Sequence, residues 1–452
     1  MSSAKPPGWA FCHQIPRNRG VISKDTNQPM GTDVREVWIT GLGLISSLGE
    51  GAEAHWGVKP VVEEVRFAPY PVHPLGSVDF SRFVPKRSDQ NQMGQWQLTG
   101  VAAAGLALED AGLAGNAEFL DATDLIIAAG NGERDIEADR KILDRLAEAE
   151  ADADADDTAD TVQYLNETLP RSLRPTRYLV ELSNLLAGNI SIVHGATGSS
   201  RTYKGEEAAG VSAVEDAFRR VRSGQADICL VGGAYNAERE DQLLIFELGK
   251  QLWQGAHKPL WARHGAGGGM VLGSLGAFLV IEAREHAEAR GARGYARISG
   301  AVSGRSGREI GSEAASLRAL FNAMDVKLPL SELPVMSGAS GVEPTLAAEL
   351  AFLRGLHNDG YYPLIRGFGS VLGHGVEAHF PMGVALAALA VARGEFYPPF
   401  DTTREEDVAL KRIARVLVTG VGHWRGEGLA LIEAVEQPRE QATPQAGESD
   451  GQ

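Results

Sequence analysis

The sequence predicts an α/β fold in two halves. Three observations carry this: a clear helix–stop–strand unit, its recurrence along the chain, and a length too great for one core. The unit begins at Val211. Val211, Val214, Phe218 and Val221 recur at i, i+3, i+7 and i+10, one stripe of a helix, with Arg219, Arg220 and Arg222 outside it. Ser223-Gly224 stops the helix, because glycine accepts the left-handed conformation that ends one. Ile228 to Val231 then reads as a buried strand closed by Gly232-Gly233. Further on, Leu346 to Leu356 reads as a helix, Val384 to Ala392 as a small-residue helix suited to burial, and Val416 to Gly422 as a core strand. At 452 residues the chain exceeds the size at which single cores stop growing.

Order begins at Val37-Trp38-Ile39-Thr40, a β-branched run that reads as a strand ended by a turn at Gly41-Leu42-Gly43. Its likeness to Val416–Gly422 suggests an internal duplication. Residues 1–33 are rich in Pro, Ser, Asn and Lys without a period and are expected to be a disordered extension. The polar residues 437–452 are expected to be a disordered tail. Between them, 34–290 and 291–436 are the expected halves. Residues 147–160 (AEAEADADADDTAD) read as a solvated surface insertion in preference to an acidic partner-binding arm.

Lys and Arg number 43 against 59 Asp and Glu, a formal charge of -16. With no basic block to meet phosphates, nucleic acid is not an expected partner. The two cysteines, Cys12 and Cys229, make no disulfide framework, and the ligand count excludes a structural zinc site. The first thirty residues contain no apolar signal segment. Gly267 to Glu282, the most apolar stretch, is glycine-broken and too short for a membrane span. The cytoplasm is the expected compartment, and no cofactor or metal is expected.

Five segments, in order, carry a resemblance. These are VWITGLGLISSLGEG (Val37 to Gly51), LSNLLAGNISIVHGATG (Leu182 to Gly198), AGVSAVEDAFRRVRSGQADICLVGGA (Ala209 to Ala234), PLWARHGAGGGMVLGSLGAFLVIEAREHAEA (Pro259 to Ala289) and GSVLGHGVEA (Gly369 to Ala378). Over about residues 35–435 the chain resembles the β-ketoacyl-[acyl-carrier-protein] synthases, the condensing enzymes of fatty acid and polyketide synthesis. The resemblance implies a thiolase-like fold of two similar α/β halves, stacked as helix and sheet layers and usually dimeric.

It also implies an active site, and the reacting residues of that site are absent. The family places a cysteine at the start of the nucleophile helix, where the helix N-terminus favours the thiolate that accepts an acyl group. Counting back from Gly210, that position is Glu207. A carboxylate there is favoured by about 0.3–1 kcal/mol, but it is a poor nucleophile toward a thioester. The first of the family's two histidines falls at Gly338, in a register anchored by Glu349, with Leu346 for the family's aspartate. The family's lysine falls at Gly369, and His374 alone is retained. Without its partners, His374 reads as a hydrogen-bonded core histidine. The Gly-Phe-Gly-Gly loop that gates the acyl pocket is matched by Gly422-His423-Trp424-Arg425, where Trp and Arg replace mobile glycines with bulk.

Relatives with Gln for Cys resemble malonyl decarboxylases or chain-length-determining subunits. Glu207, if ionised, opposes a malonyl carboxylate by about 4 kcal/mol at 4 Å and an effective dielectric near 20; if burial keeps it protonated, it does not. The favoured expectation is a degenerate subunit that pairs with a cysteine-bearing ketosynthase and acts with acyl carrier protein. Within that, the chain looks like the incomplete member of a pair building very-long-chain acyl groups for lipid A. Homodimers stay open. One alternative is altered thioester chemistry, decarboxylation or hydrolysis, using Glu207 and His374 as an acid/base pair. Another is an acyl- or carrier-binding module in which Arg219, Arg220 and Arg222 meet an acidic carrier.

Overall fold

Ten strands in two runs of five carry the architecture. The first run is β1 (Val37–Ser46), β2 (Asp124–Ala129), β3 (Ser200–Lys204), β4 (Ile228–Tyr235) and β5 (Leu275–Ala283). The second is β6 (Ala296–Gly304), β7 (Glu332–Gly338), β8 (Tyr362–Gly367), β9 (Arg415–Val421) and β10 (Glu427–Glu433). The computed structural model describes residues 34–435 apart from 57–58, 152–157, 173–174, 308, 325, 327, 402–405, 407–411 and 425. The expected extension at 1–33, the tail at 437–452, Cys12, Arg425 and the centre of the acidic run lie outside the described residues.

The strands pair in the order β8-β7-β9-β10-β6-β1-β5-β4-β2-β3. Each run has the same internal order, third-second-fourth-fifth-first. In each, the first three of that order pair in parallel and the last two join antiparallel. The runs meet where Val37, Trp38 and Ile39 of β1 pair with Ile298, Arg297 and Ala296 of β6. The chain is therefore an internal duplication, but the likeness of Trp38–Gly43 to Val416–Gly422 pairs the wrong strands. β1 corresponds to β6, and β9 to β4.

Seven helices matter for the site and its support: α1 (Gln95–Asp110), α2 (Ile136–Ala151), α3 (Thr158–Ser172), α4 (Glu207–Arg222), α5 (Glu240–Leu248), α6 (Thr345–Asn358) and α7 (His379–Arg393). Successive strand residues face opposite ways, and the cores follow that alternation. Cys229 and Val231 of β4 pack with Val214 and Phe218 of α4 and Leu386 of α7. Ile228 and Leu230 join Val101 and Leu108 of α1 on the other face. In the second run, Val416 and Val418 join the α4/α7 core, while Leu417 packs with Leu350 and Leu353 of α6. Helices α4 and α7 are thus a shared inner layer, with α1 and α6 outside. Strands covered on both faces need apolar residues at every position, which is why these runs are continuous rather than alternating.

The predicted helices at 211–222, 346–356 and 384–392 form, and Gly224 ends α4 with φ +74. The predicted turns at Gly41–Gly43 and Gly232–Gly233 do not. Both lie inside strands, which run on to Ser46 and Tyr235. A Cβ on Gly43 would sit 1.8 Å from the Ala103 carbonyl oxygen of α1, so this glycine serves close helix–strand approach and not a turn. The acidic run is bounded by two helices, α2 ending at Ala151 and α3 starting at Thr158. Residues 376–393 are long and apolar enough to cross a membrane, but 89% of them are buried within this core.

Candidate functional site

Three separate segments bring polar groups to the start of α4. Glu207 is the first residue of that helix and is 2% exposed. His374 lies in the loop after β8, and His423 follows β9; both are buried. His374 Nε2 is 2.6 Å from Glu207 Oε1, and His423 Nδ1 is 2.8 Å from the same oxygen. The His423 backbone N–H also donates to it, at 3.2 Å. Burial, the largest single influence, pushes the Glu207 carboxyl up. The charge of His423 and the hydrogen bonds from both imidazoles outweigh that and hold it well below the usual carboxylate range. In return, Glu207 lifts His423 above its ordinary value against the cost of burial. Glu207 is therefore ionised, which answers the question its sequence position left open.

An ionised carboxylate only accepts, so both imidazoles turn N–H groups toward it. That leaves His374 Nδ1 without a hydrogen-bond partner among the described residues. His374 is buried and hydrogen-bonded, and the acid occupying the nucleophile position is its partner. The three donor atoms fall within 4.8 Å of one another, a grouping that could hold a metal ion. Their 2.6 and 2.8 Å separations are those of hydrogen bonds already formed.

Gly338 and Gly369 look onto one object. A Cβ on Gly338 would lie 3.6 Å from His379 Cδ2, and one on Gly369 would lie 3.9 Å from His379 Cε1. The ring of His379, the first residue of α7, is packed between the places that the family resemblance assigns to a histidine and a lysine. It packs at a tilt against His374 and Phe368, each with ring centroids 4.2 Å apart. Gly375 N–H donates to His379 Nδ1, and Nε2 has no partner among the described residues. Burial keeps this ring neutral. Sequence reasoning missed His379; a histidine opening an otherwise apolar helix was the available signal. Glu349 is fully buried and accepts from Ser337 and Thr419, so the register it anchored is one of core hydrogen bonds.

The expected gate separates into two parts. Trp424 is 51% exposed and lines a cavity of about 620 Å³ in front of α4. His423 turns inward to Glu207 and packs edge-on against Phe246, so it is a partner of the acid rather than part of a gate. Arg220 is also corrected. It is tied to Asp124 of β2 at 2.6 Å and is mostly buried, while Arg219 pairs with Glu215 on its own helix and Arg222 lies over Phe218. Cys229 is buried in β4, and burial pushes its thiol up, so it supplies no thiolate.

Residues 72–287 match the family model "Beta-ketoacyl synthase, N-terminal domain". The chain is 29% identical to 3-oxoacyl-[acyl-carrier-protein] synthase 2 of Vibrio cholerae over 282 residues, 59% of this chain and 62% of that enzyme. It is 28% identical over 402 residues, 83% of this chain and 89% of the relative, to a β-ketoacyl synthase 1 assigned to oxytetracycline polyketide synthesis in Streptomyces rimosus. Among solved structures, the ishigamide ketosynthase/chain length factor superposes with a TM-score of 0.71 at 21% identity, covering 89% of this chain and 100% of that one. A Burkholderia phymatum β-ketoacyl synthase gives 0.69 at 20% identity, with the same coverage. The fold is the thiolase-like ketosynthase fold. Five ordered sequence matches, the duplicated strand order and these likenesses converge on one family, and the chain is similar to the β-ketoacyl synthases, matching their N-terminal-domain model over residues 72–287.

Proposed function

We propose that this chain is a ketosynthase-family subunit that does not capture acyl groups and works paired with a cysteine-bearing ketosynthase, in elongation of long acyl chains on acyl carrier protein. The observation carrying this reading is Glu207, ionised and held by two imidazoles and a backbone N–H where an acyl-accepting thiol would stand. A carboxylate is a poor nucleophile toward a thioester, and three donors converging on Oε1 weaken it further. The likeness to a ketosynthase/chain length factor supports the pairing, and a type II polyketide ketosynthase in complex with its acyl-carrier protein, 14% identical, supports the carrier. Very-long-chain synthesis for lipid A is the narrower form of the proposal, with the cytoplasm as its compartment. Residues 34–290 and 291–436 are proposed as the two halves. Arg219 and Arg222 are the arginines of α4 left at the surface to meet an acidic carrier.

Altered chemistry through Glu207 and His374 is disfavoured because the two bond each other and neither lines the cavity. Co-expression with a cysteine-bearing paralogue tests the proposal. The expected result is a heterodimer that elongates acyl chains, with acyl label only on the paralogue. Homodimers alone beside a fully active paralogue, or acyl label on this chain, would overturn it.

A further inference from the structure

We propose that Tyr235 and Glu377 form a pair of hydrogen-bond donors in the cavity wall that holds the oxygen of an enolisable ketone or phenol carried on an apolar frame. Both line the cavity of about 620 Å³, and neither belongs to the Glu207 cluster. The inference stands whether or not the chain pairs with a ketosynthase.

Tyr235 ends β4 and is 5% exposed, and its hydroxyl has no hydrogen-bond partner among the described residues. A buried hydroxyl left unpaired is costly, and a folded protein that retains one calls for an explanation. A ligand oxygen in the adjoining cavity supplies it. Glu377 sits in the one-turn segment after His374 and is 4% exposed. Its Oε1 accepts the Gly130 N–H at 3.0 Å. A Cβ on Gly130 would come 2.8 Å from that oxygen, so this glycine makes room for the carboxyl. The residue before it, Val376, holds φ +41, a conformation that β-branched residues avoid because of backbone clash. Strain of this kind persists where the surrounding structure enforces it, and it clusters at binding sites.

The protonation states agree with a donor role. Burial pushes the Glu377 carboxyl up to about 8, against hydrogen bonds from its own backbone N–H and from Gly130 and the charge of Arg239, while Glu207 adds to the rise. The carboxyl thus carries its proton at neutral pH. Burial pushes the Tyr235 phenol well above its ordinary value, so it keeps its proton as well. A neutral carboxylic acid beside a tyrosine hydroxyl in an apolar site is a known arrangement for stabilising an enolate or phenolate oxygen. Phe246, Ile245 and Val211 supply the apolar wall for the rest of such a ligand.

The test is titration of the full-length protein with 2-naphthol, beside 2-ethylnaphthalene, which has the same ring and no oxygen. Saturable one-to-one binding of 2-naphthol is expected. Tyr235→Phe should weaken it by about tenfold, the loss of one buried hydrogen bond, while leaving 2-ethylnaphthalene unchanged. Glu377→Met should act in the same direction. Tyr235→Phe removes only a hydroxyl and decides the matter even if Glu377→Met fails to fold. No saturable binding, or equal 2-naphthol affinity in wild type and Tyr235→Phe, would overturn the proposal.

Discussion

An acid at the first turn of a helix is electrostatically welcome, yet Glu207 sits where water cannot reach it, and two imidazoles balance that cost. Their opposite shifts give a pH signature. Folded Glu207 titrates below its ordinary 4.5, so its contribution is present above that value and is lost as pH falls through the folded value. Folded His423 titrates above 6.5, so its contribution is complete below 6.5 and is lost as pH rises through the folded value. The pair therefore stabilises most between about 4.5 and 6.5. Glu207→Gln should cost about 1–3 kcal/mol in that window and flatten both limbs, as read from thermal unfolding against pH. A variant that keeps the alkaline limb would show that His423 draws its proton affinity from elsewhere. The position of Glu207 was legible by counting from Gly210. Its partners were not, because they lie 167 and 216 residues away and only the fold brings them together.

At the scale of elements, α7 does more than fill the core. Its first residue places an imidazole in van der Waals reach of both Gly338 and Gly369, while the Thr419 carbonyl, 2.4 Å from a Cβ on Gly338, is what bars a side chain there. His379→Ala should leave a void between Phe368 and His374 and cost about 2–4 kcal/mol. His379→Phe keeps the ring and removes the unpaired Nε2, so it should fall within about 1 kcal/mol of wild type. Chemical denaturation of the three proteins checks the ranking; a Phe variant as unstable as the Ala variant would mean that the Gly375 N–H to Nδ1 bond dominates. The elements themselves were largely readable, since buried strands and apolar helices announce themselves by composition and period. Their glycines were misread. Gly43 and Gly232 look like turn residues locally, but the atoms that require them, the carbonyls of Ala103 and Ala277, lie far along the chain.

For the whole molecule, duplication produces interdependence rather than two separable bodies. Helices α4 and α7 come from different runs, yet their side chains share one core with strands of both. The three residue pairs between β1 and β6 continue a single sheet across the junction, and the described residues from Arg35 onward fall into one compact unit. Removing the second run would uncover the apolar stripe of α4, expose the pairing edge of β1 at Val37–Ile39, and take away both histidines that hold Glu207. Residues 35–290 expressed alone should therefore fail to fold. The full chain should unfold in one cooperative transition, with matching calorimetric and van't Hoff enthalpies. Two resolved transitions, the lower of them abolished by cutting between residues 290 and 291, would show instead that each run holds a core of its own. In that case the burial of Glu207 would depend on docking of the halves and not on their joint folding.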